Sequence, residues 1–145
     1  MHMQYSTKSN IALFEGFCRK SQVDNRHIIA EIDNIPLYLK VASTDESKSK
    51  GYRGMVEPTS SDGILFVYES EDIIAFWMKG VPFPLDIMFF NRDLEMVNSF
   101  TMESYDKNIS AKIYNSEKPA QYAIEVRQGW ISENIDKSKT IKLKF

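Results

Sequence analysis

One cysteine, Cys18, is all the thiol in this 145-residue chain, so the chain forms no internal disulfide and no cysteine-rich zinc site. Histidine is almost as scarce: His2 and His27 do not suffice for a multi-histidine metal centre. The acids show no EF-hand spacing, and a glycine-rich phosphate loop, a serine nucleophile elbow and a metalloprotease helix are all missing. No metal and no cofactor is therefore expected. Basic charge is not in excess either: 18 lysines and arginines face 20 acids, a net charge of −2, which leaves no electrostatic footprint for nucleic acid. The densest apolar stretch, residues 75–90, is shorter than the roughly 20 residues a spanning helix needs, and prolines and charges interrupt it. The start, MHMQYSTKSNIALFEGF, has neither the basic opening nor the apolar core of a secretory signal. These absences point to a cytoplasmic protein with no membrane and no nucleic-acid partner.

What the chain does have is the alternation of strands. A hydrophobic content of 43% and a charged content of 26% suit a soluble globular domain, and this length buries about two-thirds of its extended surface in one core. Residues 27–33 and 36–42 form two strands about a turn at Asp33-Asn34; Leu37, Leu39 and Val41 alternate with Tyr38 and Lys40. Residues 64–69 and 72–79 are expected to pair as a hairpin through Ser70-Glu71. Residues 86–90 and 94–100 form another, turning at Asn91-Arg92-Asp93. Residues 121–127 and 140–145 complete the set.

A helix is expected after Ser43, which stands three residues before Glu46 in capping-box spacing; lysines follow at 48 and 50, and Gly51 or Gly54 ends it. A short helical turn is expected near 131–134. Residues 1–26 read as an N-terminal extension and 27–145 as a single β-rich domain. So many short strands predict a mainly β fold, a β-sandwich or distorted barrel with one or two short helices.

Four segments in order, GILFVY, AFWMKG, FPLDIMFF and YAIEVRQGW, resemble the domain of unknown function 192 family. The matching positions are Gly51, the run from Gly63 to Phe66, Trp77 to Lys79, Pro84 to Asp86, and Ile124-Glu125 ahead of Gly129, so the likeness covers about residues 36–145. It implies a compact β fold and carries no assigned activity. Two departures stand out. Gly80-Val81 replaces the Asn-Thr that usually follows Trp-Met-Lys, and Tyr52-Arg53 replaces a Leu-Met after the first glycine.

The candidate site grows from two charges set in apolar sequence. Trp77 and Lys79 are two apart on one strand and share a face, opposite Ile74, Phe76 and Met78. Pro82 and Pro84 stiffen the crossover that leads to Asp86. Glu125 is a further anion in an apolar strand. If Lys79, Asp86 and Glu125 converge on one rim floored by Trp77, with Tyr52 and Arg53 beside them, they line a pocket for a small polar, anionic or sugar-like ligand. The plainer account has Asp86 accepting backbone N–H groups of its own turn, Lys79 in water, Trp77 in the core and Glu125 paired at the surface with Arg127.

The expected role is a small binding or accessory module. One alternative is a hydrolase acting on a sugar-like or anionic substrate, since two carboxyls about 5–9.5 Å apart can divide acid and base roles. Another is a structural component of a larger, even viral, assembly, docked on a protein partner through the IALF segment of the N-terminal extension.

Overall fold

Asp33 and Asn34 both take positive φ, 51° and 69°, the conformation that lets two strands meet at their tightest turn. That turn joins strands β1 (His27–Ile32) and β2 (Ile35–Ala42) in antiparallel register, Ile32 facing Ile35, as the sequence predicts. The protein is described here from a computed structural model, over residues 26–55 and 61–145. The N-terminal extension, with its IALF segment and Cys18, lies outside the described residues apart from Arg26.

Helix α1 (Asp45–Lys50) follows β2, one residue out of the expected register. Its N-cap is Thr44, whose hydroxyl accepts the Ser47 N–H at 3.1 Å while Ser47 Oγ accepts the Thr44 N–H. Asp45 and Glu46 occupy the first turn, lysines the last, and Gly51 ends it. Through α1 the chain reaches β3 (Gly63–Asp72), which lies parallel to β2, a pairing that needs such a crossover. The remaining elements are β4 (Ala75–Trp77), β5 (Leu85–Phe90), β6 (Met96–Met102), β7 (Ile113–Asn115), β8 (Ala120–Arg127), α2 (Trp130–Asn134) and β9 (Leu143–Lys144).

Seven strands form one sheet in the order β6-β5-β8-β3-β2-β1-β9, and β4 pairs with β7 in a second, small sheet. The large sheet curls into a half-barrel. Its two edges meet at one point: Glu95 bridges Lys142, the Met96 N–H donates to the Ile141 carbonyl at 2.9 Å, and the Leu143 N–H to the Leu94 carbonyl at 2.8 Å. The fold is mainly β, and of the two expected architectures the distorted barrel describes it.

The expected hairpin at Ser70-Glu71 does not form. Every residue of β3 from Gly63 to Tyr68 is buried, and both of its edges are taken, by β2 and β8. No edge remains for β4, which crosses to the second layer and pairs with β7 instead. The 86–90 and 94–100 hairpin does form, as β5 and β6.

Each face of the curled sheet carries its own core. One collects side chains from β1, β2, β3, β5, β8 and β9, including Leu39, Leu65, Met88, Ile124 and Leu143, so it is the interior of the curl, and Trp130 and Ile131 of α2 plug it. The opposite face of β3, β5 and β8 packs Ile64, Phe66, Ile87 and Phe89 against Ile74, Phe76, Met78 and Tyr114 of the small sheet. With both faces covered, β5 is buried throughout and β8 from Ala120 to Val126. Gly63 permits the close approach of β3 to β8: a Cβ there would lie 2.1 Å from the Glu125 carbonyl oxygen.

Candidate functional site

The six candidate residues do not meet in one place. Asp86 faces Val126 across β5 and β8, and Ile87 faces Glu125, so the two carboxyls project to opposite faces of the sheet. The expected shared cavity is therefore corrected by strand parity alone.

Asp86 is 1% exposed and lies at the mouth of the curl. One carboxylate oxygen accepts the N–H groups of Gly129 and Ile131, both at 3.1 Å, and the other accepts the Thr101 hydroxyl at 2.8 Å. It thus caps the start of the plug helix α2. Its donors come from distant elements rather than from its own proline turn, and no ion pair joins it to Lys79 among the described residues.

Glu125 is 0% exposed, on the face covered by the small sheet, and neither carboxyl oxygen has a hydrogen-bond partner among the described residues. Burial pushes its carboxyl up from 4.5 to about 8, so it keeps its proton at neutral pH. Tyr52 and Tyr68 are close enough to sense it. Both hydroxyls are raised, chiefly by burial and then by the Glu125 charge. Lys48 of α1 is buried alongside, donating from Nζ to the Val67 carbonyl at 3.0 Å, 4.5 Å from the centre of the Tyr68 ring. The surface pairing expected for Glu125 does not occur; Arg127 pairs with Glu133 instead. Tyr52 packs edge-on against Phe83, and Arg53 lies over Gly80, where a Cβ would come within 2.6 Å of its Cγ. The two departures from the family pattern therefore touch each other.

Trp77 and Lys79 stay together at the surface, on the shared face that strand alternation predicts, with the Lys79 Nζ 5.4 Å from the centre of the Trp77 ring. They line an open concavity of about 500 Å³ with Tyr105, Lys107 and Ile109 of the loop between β6 and β7, and with Ile113 of β7. That loop is anchored by the Tyr105 N–H to the Val81 carbonyl at 2.9 Å. A second hollow of about 280 Å³ shares Tyr105 and Ile109 with the first and is lined further by Glu103, Asp106, Lys112 and Tyr114. The sequence reading passed over this loop. Its length and polarity between two strands are the signal that marks it, because long ordered connections in small domains often carry binding function.

The fold is that of a mainly β half-barrel with an attached two-stranded sheet. Residues 28–143 match the family of domain of unknown function 192, described as uncharacterised ACR, and the chain belongs to that family. No curated protein matches it. Among solved structures it is similar to a protein of unknown function from Novosphingobium aromaticivorans DSM 12444, at 20% identity over 82% of this chain and 85% of that one, with a TM-score of 0.71. It is also similar to a protein of Sinorhizobium meliloti 1021 provisionally described as a transcription regulator, at 17% identity over 84% of this chain and 95% of that one, TM-score 0.73. At these identities the likeness is one of fold.

Proposed function

We propose that this protein is a binding module whose contact surface is the shelf made by Trp77 and Lys79 with Tyr105 and Lys107, and whose ligand is anionic with an apolar or planar part. The observation that carries this reading is that two aromatic rings and two cations from separate elements line one open concavity. An aromatic face and a nearby ammonium hold such a ligand by stacking and by charge, without any activated nucleophile. A glycoside hydrolase of the usual kind needs two carboxyls facing one cleft. Here Asp86 is committed to α2 and Glu125 is enclosed in the opposite layer, so a binder fits the geometry better.

Titration with phenyl phosphate, an anion with a planar face, tests the reading. Amide signals of Trp77, Tyr105 and Lys107 are expected to shift, and Trp77→Ala and Lys79→Ala to abolish the response while the fold remains. No shift in wild type at millimolar probe, or shifts unaffected by both substitutions, refutes it.

A further inference from the structure

Among the described residues, strand β4 has only one side in use. Its register with β7 pairs Ala75 with Asn115, Phe76 with Tyr114 and Trp77 with Ile113. The pairing continues one step back, where the Ser116 N–H donates to the Ile74 carbonyl at 2.9 Å and the Ile74 N–H to Ser116 Oγ at 2.9 Å. Bonded and non-bonded residues alternate along an antiparallel pair. Ile74 and Phe76 therefore address β7, and Ala75 and Trp77 turn their N–H and C=O groups the other way. On that side β4 has no neighbour in its sheet, and no hydrogen bond reaches those groups from another element among the described residues.

The partner strand is treated differently. The free side of β7 is covered by the Asn98 side chain of β6, which donates to the Asn115 carbonyl at 3.1 Å and accepts the Glu117 N–H at 3.1 Å. Among the described residues, one edge of the small sheet is thus closed by a dedicated side chain and the other is left open. An open edge is a template for another strand, which is why most proteins blunt theirs.

The side chains around this edge say what kind of strand suits it. Ile73 is 38% exposed, Ala75 and Trp77 are half-buried on the outer face, and Ile113, 40% exposed, stands directly across from Trp77. Ile109 of the adjoining loop is 68% exposed. An aliphatic strip of this kind suits aliphatic side chains better than sugar hydroxyls. At its far end stand Lys79 and Lys107. The acids of that loop, Glu103 and Asp106, line the other hollow together with Lys112, and one Asp106 oxygen accepts the Asn108 N–H at 2.9 Å.

We propose that the open edge of β4 takes an extended peptide as an added strand, main chain against Ala75 and Trp77, aliphatic side chains on the outer strip and acidic residues at the end that reaches Lys79 and Lys107. This rests on the shelf being the binding surface, and it names the ligand as an acidic, aliphatic peptide segment. Main-chain bonds supply the affinity, and the strip and the lysines supply the selection.

The test uses the full chain and a capped peptide of alternating valine and threonine flanked by glutamates, followed by fluorescence anisotropy. Wild type is expected to bind it, more weakly as salt rises. The same peptide with alternate backbone nitrogens methylated loses about tenfold or more in affinity, as does one with lysines in place of the glutamates. Ala75→Pro removes an outward N–H that β7 does not use, and is expected to lower peptide affinity about tenfold while phenyl phosphate still binds. Equal binding of the methylated peptide overturns strand addition, and does so even where Ala75→Pro fails to fold. Self-association of the chain that Ala75→Pro abolishes also overturns it, by giving the edge to a second copy. Loss of the peptide with retention of phenyl phosphate leaves the shelf standing; loss of both removes the shelf as well.

Discussion

Replacing Glu125 by glutamine tests the most unusual group in the structure. The carboxyl is fully buried, faces Ile64 and Ile87 on the neighbouring strands, and lies near Tyr52 and Tyr68, with both oxygens unpartnered among the described residues. Its ionisation is lifted from 4.5 to about 8, and a displacement of that size corresponds to about 4–5 kcal/mol between its two protonation states. The sign follows from which state holds the proton. Below about pH 4 the folded and unfolded chains are both protonated and nothing is lost. Between about 4.5 and 8 the unfolded chain releases a proton that the folded one keeps, so stability falls by about 1.4 kcal/mol per pH unit. Above about 8 the folded carboxyl ionises too and the loss levels off. Glutamine has nearly the same shape and does not titrate. The difference in unfolding free energy between Glu125→Gln and wild type should therefore shift in favour of the variant by about 4 kcal/mol from pH 4.5 to pH 9, read from guanidinium unfolding across that range. All other titrating groups cancel in the comparison. A difference that stays constant with pH would refute both the raised ionisation and the burial behind it.

Three further outcomes follow from the packing. Asp86→Ala leaves the N–H groups of Gly129 and Ile131 and the Thr101 hydroxyl without their acceptor; it should destabilise by about 2–4 kcal/mol, with unchanged melting as the contrary result. Gly63→Ala places a methyl 2.1 Å from a backbone oxygen and must part β3 from β8, so a loss of about 3 kcal/mol is expected in chemical unfolding, and a neutral effect contradicts the strand spacing. Deletion of residues 1–25 is expected to leave a cooperatively unfolding domain, because the family match begins at residue 28; a broad, non-cooperative transition would make the extension part of the core.

The local features of this fold were legible because short-range chemistry decides them. Asp33-Asn34 and Asn91-Arg92-Asp93 are turn sequences between alternating runs, and both hairpins form there. The face assignments of Ile74, Phe76 and Met78 against Trp77 and Lys79 needed only a period of two. Long-range pairing decided the rest. That β3 lies between β2 and β8, leaving β4 to another layer, cannot be read from Ser70-Glu71, which looks like any other turn. The use of Asp86 depended on Gly129 and Ile131, more than 40 positions away. Whether Asp86 and Glu125 shared a face depended on the register between their strands, which neither segment contains by itself. The pairing of Trp77 with Lys79 was legible, while Tyr105 and Lys107, which line the same concavity, sit in a polar loop that nothing in its own sequence ties to them.

The contact between Arg53 and Gly80 bears on how such a sequence can change. Gly80 has φ 81° and no room for a Cβ while the Arg53 stem lies over it. A chain with asparagine at 80 and a shorter residue at 53 is two substitutions away, and the two orders are not equivalent. Shortening position 53 first opens the space that the new side chain then fills. Adding the side chain first produces an intermediate with a 2.6 Å clash. Introducing asparagine at 80 into this chain is therefore order-dependent, with position 53 shortened first.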